Sequence, residues 1–428
     1  MIIHTVQPNE TAASIAETYG VSTEMLMKIN QLSSPDRLVA GQTLLILFPD
    51  KIHQVQEGDN LADIAVGHGS TVMELLRNNP WLSDREYIYP GEEIVIGFSD
   101  EKIMEISTNG YAFPFIDAAV LRKTLPYLTY LTIYYYRIMS DGGLVDIDEH
   151  ELIDLAKAYG VAPVMLISTL TEARRTDMEA NRSILSNIPT QERLINNVLE
   201  VMRTKGYYGL TVDIENILPE ERQLFINFIA NMSARLKEAG YTLFVTLTPN
   251  TFQTGSGEFY EGPEYASVGQ FIDGAILLSY EWGNATSPQP ALPLAQVRNF
   301  LDYAITQLPS DKISIGIPII GYIWQLPFIP GSSLANAITY NSALNLALDV
   351  GTTIYHDEAS EAPYFTYSLD GNYIVWFRDV RSVASLLNLM VEYNLAGIGI
   401  WNIMQFSSGL WMLINALFDI RKIDMDNN

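Results

Sequence analysis

Short apolar runs alternate along most of the chain with stretches in which apolar residues recur every three or four positions. From Lys102 onward the runs are IMEIST (103–108), LTYLTIYY (128–135), APVMLIS (162–168), GLTVDIE (209–215), TLFVTLT (242–248), GAILLSY (274–280), ISIGIPI (313–319) and GIGIW (397–401). Their length and β-branched content predict strands. Between them lie patterns such as TQERLINNVLEVMRTKG and ERQLFINFIANMSARLKEAG. Both start polar or acidic and end near a cation and a glycine, as helices do. Strands separated mainly by helices predict parallel neighbours, because parallel pairing needs a crossover. The length suits an α/β fold of the (β/α)8 barrel type. A doubly wound open sheet competes, but no glycine-rich nucleotide fingerprint follows the first strand. Residues 321–396 are too many for one helix. Their middle alternates and carries Asp370-Gly371, a hairpin signal, so a β-rich insertion is expected before the last strand. Such insertions commonly form a wall of the substrate cleft.

The first hundred residues read differently. HTVQPNETAASIAETYGVSTEMLMKIN from His4 matches HQVQEGDNLADIAVGHGSTVMELLRNN from His53 at an offset of 49. A later pair, AGQTLLI and PGEEIVI, matches at 50. A repeat of this period marks tandem small units. Each predicts a strand, a polar turn, two short helices and a closing strand, in the order β-α-α-β. Expected boundaries are 1–49 and 50–99 for the two units and 100–428 for the barrel.

Composition narrows the chemistry. Hydrophobic residues make up 48% and charged residues 18%, enough for a large core. No apolar run is long enough to span a bilayer. The start, MIIHTVQPNETAAS, lacks the basic and apolar regions of a signal peptide. There are no cysteines, so disulfides and thiolate metal sites are excluded. The five histidines show no ligand spacing, and neither metal nor cofactor is expected. A formal charge of −25 would repel nucleic acid.

Within GLTVDIE, alternate residues share a face. Gly209, Thr211, Asp213 and Glu215 point into the barrel; Leu210, Val212 and Ile214 point to the helices. Asp213 and Glu215 would stand at the strand's C-terminal end, with Cα atoms roughly 6.5–7 Å apart. Barrel enzymes place their chemistry there. Two partly buried carboxylates side by side favour keeping one protonated, which is what a general acid needs.

Two resemblances rest on these residues. The repeats resemble the LysM module, through HTVQPNETAASIA and HQVQEGDNLADIA, the Asn ending each second helix, and the GQTLLI and GEEIVI strands. The first copy has Pro8-Asn9 where that family usually has Gly-Asp, which the second keeps as Gly58-Asp59. The resemblance implies binding of N-acetylglucosamine-containing glycans such as peptidoglycan or chitin. The remainder resembles glycoside hydrolase family 18, whose fourth barrel strand ends in D-x-x-D-x-D-x-E. Here YGLTVDIE keeps the last two acids, with Tyr208 and Thr211 at the earlier positions. LSYEWG places Tyr280 and Glu281 where the family has a tyrosine and an acid, with Leu278 replacing a methionine. GIGIWNI places Trp401 where the family has a tryptophan floor.

The resemblance implies substrate-assisted hydrolysis with retention. Glu215 would be acid and then base, Asp213 would orient the substrate's acetamide, and Tyr280 would bond its oxygen. With its neighbouring acids missing, Asp213 would lean on Thr211. Trp401, Glu281, Phe113, Trp282 and Trp324 would line the sugar subsites. Two LysM modules before such a barrel, with NGYAFPF, GYYGLTVDIENILPEER and APYFTY, are similar to the SleL/YaaH group of spore-forming bacteria. That group implies a spore-associated N-acetylglucosaminidase acting on cortex peptidoglycan fragments, made in the mother cell. Spore-coat proteins are a further partner class. The competing readings are a chitinase, an endoglycosidase on another glycan, and a non-catalytic sugar-binding barrel.

Overall fold

The computed structural model describes residues 1–425 except 174, 249–250, 255–256, 261–264, 279–287, 291 and 330–331. Each N-terminal repeat is a β-α-α-β unit. In the first, Ile2–Thr5 pairs antiparallel with Thr43–Ile46 across helices Ala12–Tyr19 and Thr23–Asn30. In the second, Pro49–Gln54 pairs with Glu93–Phe98 across Leu61–Gly67 and Val72–Asn78. The four helices start at Thr11, Ser22, Asn60 and Thr71, whose side chains accept backbone N–H bonds that the first turn leaves unmade.

The Asn after each second helix has a structural task. Asn30 donates to the carbonyls of Leu26 and Leu45 and accepts from Leu45 N–H. Asn79 does the same with Leu75 and Val95. Each amide staples its helix to the closing strand. The departure lies at Asn9-Glu10, one residue later than the sequence comparison placed it, and it does not alter the turn. At the offset of 49, Asn9 aligns with Gly58, and both take a left-handed φ, 71° and 93°. Glu10 then aligns with Asp59, and each carboxylate bonds the strand histidine, His4 or His53, at 2.8 and 2.7 Å. Asparagine tolerates this backbone nearly as well as glycine.

The eight expected strands form a closed parallel barrel. In order they are Met104–Ala112, Tyr130–Ile138, Ala162–Ser168, Gly209–Asp213, Thr242–Leu247, Gly274–Leu277, Ile313–Pro318 and Gly397–Trp401, and the first pairs with the last. The first runs four residues past its expected end, and the fourth stops two short. After the seventh, residues 321–376 form a five-stranded antiparallel sheet whose one face packs on helix Tyr340–Asp349. The Asp370-Gly371 hairpin is among its turns. The following helix, Val380–Glu392, joins the barrel core through Val383, Leu386 and Met390.

The repeats are packed on the barrel. Helix Ser408–Leu417 (SGLWMLINAL) is apolar on nearly every face. It is buried from both sides, by the barrel and by the repeats, which a helix apolar all round requires. Met25, Ile29, Leu45, Leu47 and Val95 of the repeats belong to the same core as the barrel residues. Polar bonds tie the junction: Asn415 Nδ2 to Asn78 Oδ1 at 2.9 Å, Thr43 Oγ1 to Asp379 Oδ2 at 2.9 Å, and Tyr127 Oη to the Arg77 carbonyl at 2.6 Å. Among the described residues no helix is long and apolar enough to cross a membrane.

Candidate active site

Strand alternation decides which side chains enter the barrel. Register pairs Trp401 with Tyr111, Tyr111 with Thr132, and Ser168 with Asp213. Rings occupy the interior because neighbouring strands offer glycines. A Cβ on Gly399 would come 3.2 Å from the Tyr111 ring, and one on Gly274 would come 2.9 Å from Phe244. Tyr111, Leu166 and Ile276 form the inner cluster, with Tyr134, Tyr135, Phe244, Leu278 and Trp401 packed against it.

Asp213 is the last residue of the fourth strand and is 4% exposed. Glu215 stands on the loop beyond, half-buried, rather than on the strand as alternation predicts. The chain turns away because Asn216 takes a left-handed φ of 56°, while its amide donates to Thr176 Oγ1 at 2.6 Å. Asn181, fully buried on helix Met178–Ser186, donates to the Glu215 carbonyl at 2.9 Å and accepts from Thr169 Oγ1 at 2.6 Å. The Glu221 carboxylate accepts from Leu218 N–H at 3.3 Å and pins the rest of the loop. Both candidate carboxylates are thus presented from fixed backbone.

Thr211 does not support Asp213. It is fully buried, and its hydroxyl has no hydrogen-bond partner among the described residues. Side chains two apart on one strand face stand roughly 6.5–7 Å apart, further than a threonine hydroxyl reaches. Tyr111 does feel Asp213. Burial, and then the Asp213 carboxylate, hold its hydroxyl pKa far above the ordinary tyrosine value, so it remains a phenol. Sequence reading missed Tyr111 because the first strand was expected to stop at 108. Alternation continued through 113 puts Asn109, Tyr111 and Phe113 on one face.

Around these groups stands an aromatic wall. Trp401 lies 4.7 Å from Tyr134, 5.7 Å from Tyr111 and 6.1 Å from Phe113, centre to centre. Phe113 stacks on Phe115 at 5.3 Å, and Phe115 is 78% exposed at the rim. A cavity of about 310 Å³ lies beside this wall, lined in part by Phe113, Phe115, Asn402, Tyr340 and Gln31. Trp324, expected as a subsite wall, is fully buried in the insertion sheet and edge-on to Phe328 at 5.4 Å, so its ring offers no face to a ligand. Tyr280, Glu281 and Trp282 lie outside the described residues.

Comparison with known proteins fits this geometry. The model for glycosyl hydrolases family 18 matches residues 174–405, across both candidate carboxylates, and the LysM domain model matches residues 4–47 and 53–97. The chain belongs to glycosyl hydrolase family 18. This family 18 glycosidase is 31% identical to the cortical fragment-lytic enzyme of Bacillus anthracis, over 98% of its own length and 99% of that protein's. It is 29% identical to the cortical fragment-lytic enzyme of Bacillus subtilis (strain 168), over 99% of each. The crystal structure of the spore cortex-lytic enzyme SleL of Bacillus megaterium QM B1551 superimposes with a TM-score of 0.81 at 28% identity, covering 99% of both chains. The glycosidase carries Tyr208 and Thr211 at the two earlier acidic positions of the family motif. Tyr208 packs near Tyr130, at 6.1 Å, and Phe244 lies 5.2 Å from Tyr130.

Proposed function

We propose that this family 18 glycosidase cleaves after N-acetylglucosamine in fragments of spore cortex peptidoglycan, with retention of configuration. The observation that carries this reading is buried Asp213 at the end of the fourth strand with half-buried Glu215 just beyond it, the Asp213 carboxylate acting on Tyr111, whose ring lies 5.7 Å from Trp401. The full-length match to cortical fragment-lytic enzymes, repeats included, supports the substrate.

Glu215 donates a proton to the glycosidic oxygen as the C1–O bond breaks. The acetamide carbonyl oxygen of the same sugar bonds C1 and gives an oxazolinium ion. Asp213 orients the acetamide N–H and offsets the positive charge, with the Tyr111 phenol beside it. Tyr280 holds the acetamide oxygen. Water then attacks C1 while Glu215 takes its proton, and the original configuration returns. Trp401 lies under the reacting sugar, since an aromatic face suits the C–H face of a pyranose. The LysM modules hold the enzyme on peptidoglycan or within the spore, where the protein resides after synthesis in the mother cell.

The test compares wild type with Glu215→Gln on cortex fragments released by a muramidase, reading new reducing ends by mass spectrometry. Wild type exposes reducing N-acetylglucosamine. The variant loses roughly 10²–10⁴-fold in kcat while still binding. Undiminished turnover in the variant overturns the acid assignment. Cleavage of chitin oligomers in preference to cortex fragments overturns the substrate.

A further inference from the structure

Helix Val380–Glu392 begins where the insertion hands the chain back to the barrel, and Arg378 stands just before its N-cap, Asp379. Arg378 is 5% exposed. Among the described residues its guanidinium makes one hydrogen bond, from Nη2 to the Leu292 carbonyl at 2.8 Å, and no carboxylate stands within ion-pair distance. A guanidinium carries five N–H donors, and burying one without a paired counter-charge is costly. The helix adds to the cost, because its N-terminus is the positive end of the dipole. Asp379 offsets only part of this. Its oxygens are committed to Ser382 N–H at 2.8 Å and to Thr43 Oγ1 at 2.9 Å. Burial still pushes the Arg378 guanidinium from its ordinary 12.5 down to about 10. It remains a cation at neutral pH, and packing alone does not account for it.

Arg378 lines the cavity of about 310 Å³ beside the aromatic wall. Three parts of the chain enclose that cavity: the first repeat through Gln31, the insertion through Tyr340, and the barrel through Phe113 and Asn402. Its sides are mostly apolar, with Ile319, Val380 and Val383 among them. Polar groups beside it are engaged elsewhere. Gln31 Oε1 accepts from Ser408 N–H at 2.9 Å, and Asn402 Oδ1 accepts from Met404 N–H at 3.3 Å. An apolar chamber with one buried, unpaired guanidinium matches a carboxylate on a short carbon stem. The charge meets the guanidinium fork and the helix N-terminus, and the stem meets the apolar sides.

We propose that this cavity is a carboxylate-binding site, in which Arg378 pairs the carboxylate and the apolar sides hold its stem. Asn402 follows Trp401, so the occupant reaches the site as a substituent of a glycan bound along the wall. Peptidoglycan supplies that chemistry: its muramyl sugars carry a lactyl ether, a carboxyl on a CH–CH3 stem, free where the peptide is gone. Chitin has no such group, and a free lactate-like acid is the other source. The glycan assignment rests on the barrel being a peptidoglycan hydrolase; the site itself does not. Isothermal titration of the full chain with N-acetylmuramic acid, D-lactate and N-acetylglucosamine reads the site without turnover. Arg378→Gln is expected to weaken N-acetylmuramic acid binding by roughly tenfold or more. Val380→Trp fills the cavity from its apolar side and removes the same binding by an independent route. N-Acetylglucosamine titrates alike in all three proteins. Wild-type affinity for N-acetylmuramic acid in either variant overturns the site. D-lactate bound as tightly as N-acetylmuramic acid overturns the glycan as its source. In turnover, Arg378→Gln should lower kcat/KM on peptide-free peptidoglycan strands about tenfold more than on chitin oligomers of equal length. An equal loss on both overturns recognition of the lactyl group. Absence of any wild-type cleavage of peptidoglycan overturns the hydrolase reading and leaves the titration standing.

Discussion

Glu215 owes its position to a neighbour that never touches substrate. Asn181 spans from Thr169 to the Glu215 carbonyl, so the loop's place is set by a buried amide. Asn181→Ala should lower kcat about tenfold with little change in KM, because the acid is displaced while sugar contacts remain. It should also cost about 1–3 kcal/mol of stability, from the Glu215 carbonyl and Thr169 hydroxyl left unpaired. Steady-state kinetics and urea unfolding check the two effects. Lys422 gives a pH-dependent prediction. Burial pushes its ammonium from the ordinary 10.5 down to about 7, while Nζ donates to the Leu128 carbonyl at 2.6 Å. Between those values the unfolded chain holds a proton that the folded chain does not, so this group makes stability rise with pH. Lys422→Met should flatten that rise, read as urea midpoints between about pH 7.5 and 9.5. At this scale the positions of Asp213 and Trp401 at strand ends were legible, because polar or large residues there break an apolar pattern. Tyr111 and Asn181 were not: one follows Asn109-Gly110, which reads as the end of a strand, and the other is an asparagine inside a helix, with nothing local to mark its long reach.

At the scale of elements, strand number and order were readable from periodicity, and strand ends were not. Asp213 ends its strand because Asn216 adopts left-handed backbone two residues after Ile214 leaves the sheet, a turn that hydrophobic alternation does not encode. The repeats show how one motif serves two settings. Gly41 and Gly91 close corresponding turns at φ 87° and 90°. A Cβ on Gly41 would fall 1.8 Å from the Ile354 carbonyl of the insertion, whereas one on Gly91 meets nothing within 4 Å. Both alanine variants bear the backbone strain, about 1–3 kcal/mol. Only Gly41→Ala must also break the bond from Ile354 N–H to the Ala40 carbonyl, 2.9 Å long. Urea unfolding should show Gly41→Ala as clearly the less stable of the two.

For the molecule as a whole, the repeats and barrel share one core, which no reading of either segment alone discloses. Helix Ser408–Leu417 looks like a buried barrel helix in sequence, and its second covering is the pair of modules. Removal of residues 1–100 would strip helix Thr23–Asn30 and strand Thr43–Ile46 from helix Ser408–Leu417 and expose part of the apolar core they share. The truncated protein should therefore aggregate or melt earlier, and lose activity even on short soluble fragments. Thermal scanning of both forms with light scattering checks this. An intact, fully active barrel would show that the shared core contributes little.

The pairing of the first barrel strand has a consequence for how the protein is made. Met104–Ile106 pairs with Phe418–Ile420, and Ser107–Tyr111 with Gly397–Trp401, so segments some three hundred residues apart close the barrel. A ribosome delivers the first strand long before either partner. Until residues 397–420 emerge, that strand has only the second strand beside it, and the apolar surfaces of both modules await the Ser408–Leu417 helix. Nothing resembling the finished core can lock early, so folding is governed by slow, non-local closure. During that interval the nascent chain presents an unpaired edge and open apolar faces, the state in which chaperone capture or aggregation is decided. A premature stop anywhere before Gly397 would leave an unclosed barrel rather than a shorter enzyme.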